Sequence, residues 1–191
     1  MGPPAFESKI LPPADAARWA ARLARPLVFT NGVFDILHRG HATYLARARA
    51  LGACLLVALN GDASVRRLGK GPGRPINALE DRLALVAALQ AVDAVTWFDE
   101  DTPAALIAAV RPEVLVKGGD WPVEHIVGAS ELLARGGAVH SIPFEHQRST
   151  TALLRRVGAV ARAATRKKAP RASVAASKRR GARSRARRKG Q

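Results

Sequence analysis

Residues 26–60 read "PLVFTNGVFDILHRGHATYLARARALGACLLVALN". Both ends are short runs of large apolar residues that lack the polar alternation of a one-sided sheet, which predicts strands covered on both faces. Between them Tyr44, Ala48 and Leu51 recur at i, i+4 and i+7 with the arginines outward, so the stretch from His41 reads as an amphipathic helix that stops near Gly52. Strand, helix and strand in this order make a parallel βαβ unit. The first strand ends near Asn31 and the helix begins near Gly40, so the loop between them lies beyond the strand's carboxyl end.

The alternation continues to Gly158 and adds the strands "AVTWF", "EVLVK" and "AVHSI" to "PLVFT" and "ACLLVALN". The fold class is α/β, a Rossmann-like doubly wound five-stranded parallel sheet. Asn77 followed by Glu80 predicts a capping box opening "LEDRLALVAALQ", and Thr102 followed by Pro103 predicts an N-cap with proline at the first helical position of "PAALIAAV". A short helix near "DAARWAARLA" is expected to pack Trp19 and Leu23 on the domain. The division is a helical lead-in over 1–25, one domain over 26–160 and a tail over 161–191.

The net charge of +16 is concentrated at one end. Of 31 Lys and Arg, 13 lie beyond residue 160, where there is no acid, so the body carries 18 basic against 15 acidic residues. The tail has almost no large apolar residue to offset its ordering entropy and is expected to be disordered. It reads either as a solvated extension or as a weak contact for an anionic polymer or membrane surface. No run approaches the roughly 20 apolar residues of a membrane helix, and "LALVAALQAVDAV" is broken by Gln90 and Asp93. With no secretory signal, no myristoylation pattern and a single cysteine, Cys54, inside an apolar run, the expected location is the cytoplasm and the thiol is expected to be structural.

His38 and His41 flank Gly40 where an open α/β sheet binds ligands, and a helix start there offers unpaired N–H groups to a phosphate. At three-residue spacing on a first helical turn both imidazoles can face one side. From the residues alone, a capping or surface pair is as good a reading as a pair of phosphate donors. Lys117 ends an apolar strand, where an ammonium is costly unless it faces an anion. Asp35 suits a sugar hydroxyl, Mg²⁺ or a turn. Asn60 and Asp62 follow the second strand, and Lys70 and Arg74 lie on the loop "GKGPGRP", whose glycines suggest mobility over an anionic substrate. That loop lacks the GxxxxGK[ST] spacing of a phosphate-binding Walker loop.

His38-Arg39-Gly40-His41, preceded by "TNGVFDILH", resembles the H-x-G-H mark of a nucleotidyltransferase superfamily. "ALNGDASVRRL", "GPGRPINALEDR", "VLVKGGDW" and "STTALL" follow in the expected order. Their combination, over roughly Leu27 to Val157, resembles the D-glycero-β-D-manno-heptose 1-phosphate adenylyltransferases. The resemblance implies transfer of AMP from ATP to a heptose 1-phosphate for the lipopolysaccharide inner core. It further implies that His38, His41 and Lys117 are catalytic. Nucleotide binding falls to Thr30, Asn31, Gly32, Phe34, Gly40, His41, Gly118, Asp120, Trp121, Ser149, Thr150 and Thr151. Asp35, Asn60, Asp62, Lys70 and Arg74 take the acceptor. Mg²⁺ is expected to be held mainly by the ATP phosphates, with no protein metal site.

In many relatives this domain follows a sugar kinase, so a separate heptose kinase is an expected pathway partner; relatives also suggest a homodimer. Val33 stands where the family often has cysteine. Glycerol-3-phosphate cytidylyltransferases share the apparatus and the "GGDW" segment but use CTP, and they are the alternative enzyme. A nucleic-acid-binding protein acting through its tail is the alternative from another class.

Overall fold

The quoted stretch pairs with itself: Leu27–Gly32 (β1) runs parallel to Cys54–Asn60 (β2), with Leu27 opposite Cys54 and Gly32 opposite Leu59. The computed structural model describes residues 2–69, 71, 73–145 and 150–168. Ala94–Phe98 (β3), Val114–Gly118 (β4) and Ala138–Ile142 (β5) complete a sheet of order β3-β2-β1-β4-β5, parallel throughout. The expected doubly wound sheet is present, and each strand lies within about two residues of its predicted position.

Alternate strand residues feed two cores. Leu27, Phe29, Leu56 and Leu115 pack on one face with Trp19 of Ala16–Ala20 (α1), Leu106 of Ala104–Val110 (α5) and Leu132 of Ala129–Ala134 (α6). Val28, Leu55, Val57 and Val116 pack on the other with Tyr44 and Leu45 of Arg39–Arg49 (α2) and Val86 of Leu79–Ala87 (α4). Helices on both faces explain the continuous apolar runs of the strands. Cys54 is buried, and burial, with Asp93 nearby, pushes its thiol up to about 11, which keeps it an inert part of the core.

Several local expectations are corrected. α2 starts at Arg39, within one residue of its expected start, but Leu51, expected on its apolar face, falls beyond its end and is exposed. Asn77 does not cap α4: the cap position is Ala78, because the Asn77 side chain donates to the Asp35 carbonyl at 2.6 Å. α4 also closes at Ala87, short of Gln90. Pro103 rather than Thr102 is the cap of α5, its carbonyl taking the Ile107 amide at 2.9 Å. The lead-in is more than helical. After a 3-10 turn at Ala5–Lys9, Ile10 bridges Val95 of β3, the Leu11 amide donates to the Val95 carbonyl at 2.8 Å, and Lys9 reaches the Val92 carbonyl.

The chain falls into two units that divide between Thr150 and Thr151. The described part of the second belongs to one helix, Thr150–Lys168 (α7). Residues 161–168, expected to be disordered, are therefore helical, as their Ala, Arg and Lys content favours; residues 169–191 lie outside the described residues. No helix among the described residues is long and apolar enough to cross a membrane.

One buried polar tie fixes α2 to the sheet centre. The fully buried Thr30 hydroxyl and the Tyr44 hydroxyl lie 2.5 Å apart, and Tyr44 also donates to the Val116 carbonyl at 3.3 Å. Burial raises the Tyr44 phenol far above its ordinary value, with the Thr30 contact opposing, so it stays a neutral donor. Tyr44→Phe keeps the ring but leaves Thr30 without this partner. It is expected to cost about 1–3 kcal/mol, read from urea unfolding, and an unchanged midpoint would contradict the tie.

Candidate active site

The connection from β1 leads toward β2 on one side, while β4 lies on the other, so the chain opens a crevice beyond the carboxyl ends of β1 and β4. Asn31 and Gly32 end one strand, Lys117 and Gly118 the other. Lys117 Nζ donates to Asn31 Oδ1 at 3.1 Å, which holds the ammonium at the crevice floor.

α2 begins at the rim. His38 takes the cap position in extended backbone (φ −146°, ψ 170°), and its carbonyl accepts the His41 and Ala42 amides at 2.9 and 3.3 Å. Its side chain makes no capping hydrogen bond, so the capping alternative fails for His38. Instead the His38 and His41 rings stack, with centroids 3.9 Å apart and planes 17° from parallel. Phe34 lies 5.3 Å from the His41 ring and Phe144 meets it edge-on at 6.3 Å. Gly40 is buried in the turn between them.

This packing sets the charge. Burial, and then repulsion from His38, lower the His41 pKa to about 4, so this imidazole is neutral near pH 7. Its Nδ1 is buried without a hydrogen-bond partner among the described residues. A neutral imidazole still has one N–H to give a phosphate oxygen. Phe34, which walls the pair, has φ 47°, a left-handed conformation that is costly for a residue with a side chain and is held here by burial.

The β4 loop is shaped by close approach. A Cβ on Gly118 would stand 2.7 Å from the Phe144 ring, and Gly119 has φ +111°. The Ser141 hydroxyl donates to the Gly119 carbonyl and accepts the Trp121 amide at 2.9 Å, leaving Trp121 half exposed and Asp120 exposed at the loop tip.

The remaining sequence candidates fall into two groups. Thr30 points into the α2 packing, not the crevice. Asp35 is buried and committed: Oδ2 takes Arg74 at 2.5 Å and Oδ1 takes the Ile76 and Asn77 amides at 2.8 and 3.0 Å. Burial raises its pKa, but the Asn77, Arg74 and Ile76 hydrogen bonds outweigh this and hold the carboxyl below its ordinary value. Asp35 thus clasps the loop that carries Arg74. Asn60 is buried with its amide on Ser64 at 3.0 Å, whereas Asp62 and Arg74 line a groove of about 580 Å³ with Arg66, Gly73 and Ile76. Lys70 and Ser149 lie outside the described residues, and Thr150 and Thr151 open α7.

Sequence reasoning missed Arg82 and Phe144. Arg82 is fully buried and donates to the carbonyls of Val33, Asn60 and Asn77 and to Asp62 Oδ1. Its signal was available: Arg82 stands three residues after Leu79 and four before Val86, on the apolar stripe of α4. Nothing local marks Phe144, which reaches His41 only through the fold.

The depressed His41 pKa predicts a pH-dependent stability. As pH falls from 7 to 5, an unfolded imidazole near 6.5 takes a proton and the folded one does not, so stability present above the unfolded value is lost toward acid. Wild type should lose about 2 kcal/mol more than His41→Ala over that interval in urea unfolding. Equal losses would contradict the assignment.

A family model described as cytidylyltransferase-like matches residues 29–169. D-beta-D-heptose 1-phosphate adenylyltransferase of Bordetella bronchiseptica is 58% identical over 154 residues, 80% of this chain and 95% of that protein. The bifunctional protein HldE of Ectopseudomonas mendocina is 55% identical over 131 residues, 69% of this chain but only 28% of that protein. A solved structure, the lipopolysaccharide core biosynthesis protein of Thermoplasma volcanium, superposes with a TM-score of 0.52 at 30% identity, covering 64% of this chain and 98% of that one. The H-x-G-H turn at the switch point of a five-stranded parallel sheet and these matches agree: the chain belongs to the cytidylyltransferase-like family of nucleotidyltransferases.

Proposed function

We propose that the chain transfers AMP from ATP to D-glycero-β-D-manno-heptose 1-phosphate, giving ADP-heptose and pyrophosphate. The observation that carries this reading is the stacked His38–His41 pair at the β1–β4 crevice, where Lys117 is held on Asn31 at the strand ends. The 58% identical Bordetella relative, an adenylyltransferase by name, supports the choice of nucleotide and acceptor.

The sugar phosphate oxygen attacks the α-phosphorus in line. A P–O bond forms there as the bond to the bridging oxygen breaks, and pyrophosphate leaves with that oxygen's electron pair. The protein supplies no covalent nucleophile; catalysis is positioning and stabilisation of charge on the nonbridging oxygens. His38 and His41 give imidazole N–H donors to the α-phosphate, and His41 donates as a neutral ring. Lys117, steadied by Asn31, supplies the positive charge. Gly32, Phe34, Gly40 and Gly118 shape the nucleotide cleft, with Asp120 and Trp121 on the base side. Asp62 and Arg74 serve the acceptor, Asp35 by holding Arg74.

Among the described residues no three His, Cys, Asp or Glu side chains converge on a metal position, and Asp35 is already committed. Mg²⁺ would be held mainly by the triphosphate and would supply neutralisation of charge on the departing pyrophosphate. The reaction is proposed to run in the cytoplasm.

Purified protein incubated with Mg²⁺, ATP or CTP, and heptose 1-phosphate or glycerol 3-phosphate is expected to release pyrophosphate with ATP and the heptose. Release with CTP alone would overturn the reading. His41→Ala and Lys117→Ala are each expected to lower kcat by about 10² or more, as for loss of a transition-state donor. A near-normal rate in either would remove that residue from the mechanism.

A further inference from the structure

We infer that Arg82 is a positioning residue that presents Asp62 to the acceptor groove, making Asp62 the group that takes hydroxyls of the acceptor sugar. The inference rests on the adenylyl-transfer reading and assigns a specificity role within it.

A fully buried guanidinium is costly unless its hydrogen-bonding positions and its charge are both met. Three carbonyls meet the hydrogen bonds: Val33 and Asn60 at 2.8 Å and Asn77 at 3.1 Å. The charge is met by one carboxylate, Asp62, whose Oδ1 lies 2.6 Å from Nη2. The pair is asymmetric. The Arg82 side chain is 0% exposed, while that of Asp62 is 30% exposed on the wall of the 580 Å³ groove. One Asp62 oxygen is thus locked from within the protein, and the other is left to the groove.

Asp62 is the acid on that wall, and the cations there are Arg66 and Arg74. Arg74 is tied to Asp35, whereas Arg66 makes no ion pair among the described residues. A groove with arginines and one fixed carboxylate suits a phosphorylated polyol: the cations take the phosphate, and the acceptor-only carboxylate takes hydroxyl protons. Because Arg82 also binds the Val33 and Asn77 carbonyls, it keeps the groove in register with the turn that carries Phe34 and with the Arg74 loop. Such a site rejects an analogue that lacks the hydroxyl, since the carboxylate then loses its partner.

Asp62→Asn tests this directly, because its amide oxygen still accepts from Arg82 while its NH₂ replaces an acceptor with a donor toward the groove. The expected result is a rise of about tenfold or more in KM for heptose 1-phosphate, with KM for ATP within about twofold of wild type. Arg82→Lys should show the same split, and its effect on the acceptor KM should vanish in the Asp62→Asn background. If Arg82→Lys does not fold, Asp62→Glu replaces it: the charge is kept, the oxygen is displaced, and the acceptor KM should rise with the melting temperature unchanged. An unaltered acceptor KM in the Asp62 variants, or equal rises in both KM values, overturns the inference. Wild type that turns over neither substrate would overturn the adenylyl-transfer reading instead.

Discussion

β1 lies at the centre of the sheet, and the chain leaves it first toward β2 and β3 and later returns to its other side as β4 and β5. Connections that depart in opposite directions leave the space beyond the carboxyl end of β1 unfilled, and the rest of the site depends on that vacancy. The α2 amino end, the β4 loop and the Arg82 cluster all border it. The sheet must be rigid for these parts to stay in register, and two apolar cores, one on each face, supply that rigidity.

Within this frame the site is held by polar groups that are largely used up. Asp35 spends its carboxylate on the Arg74 loop, Thr30 its hydroxyl on Tyr44, and Asn60 its side-chain amide on Ser64. These commitments fix the walls on which the imidazole pair, Lys117 and Asp62 are set. Phe34, Phe144 and the stacked His38 ring make an apolar environment for His41, and burial there favours its neutral form.

The strands and the doubly wound class were legible because a strand covered on both faces is apolar along most of its length, a local property of the sequence. The H-x-G-H turn was legible because its spacing and its place after a strand are local too. What escaped reading depended on partners far along the chain. Asn77 looks like a cap until Asp35, 42 residues earlier, claims it. Arg82 shows its burial by its place on the apolar stripe of α4, but the partners that satisfy it, on the turn after β1, on β2 and on α3, the helix Asp62–Arg67, come together only in the fold. The bridge from Ile10 to Val95 spans most of the domain, and no periodicity in "ESKILPP" announces it. The stacking of His38 on His41, and with it the charge state of His41, follows from side-chain rotamers and burial, not from spacing.

The central claim is that His41, stacked on His38, meets the phosphate as a neutral donor. The most direct measurement is a ¹⁵N NMR titration of the His41 imidazole in the free protein. The account predicts a neutral ring at pH 7 with a midpoint near 4. A midpoint at or above the ordinary 6.5 would contradict it.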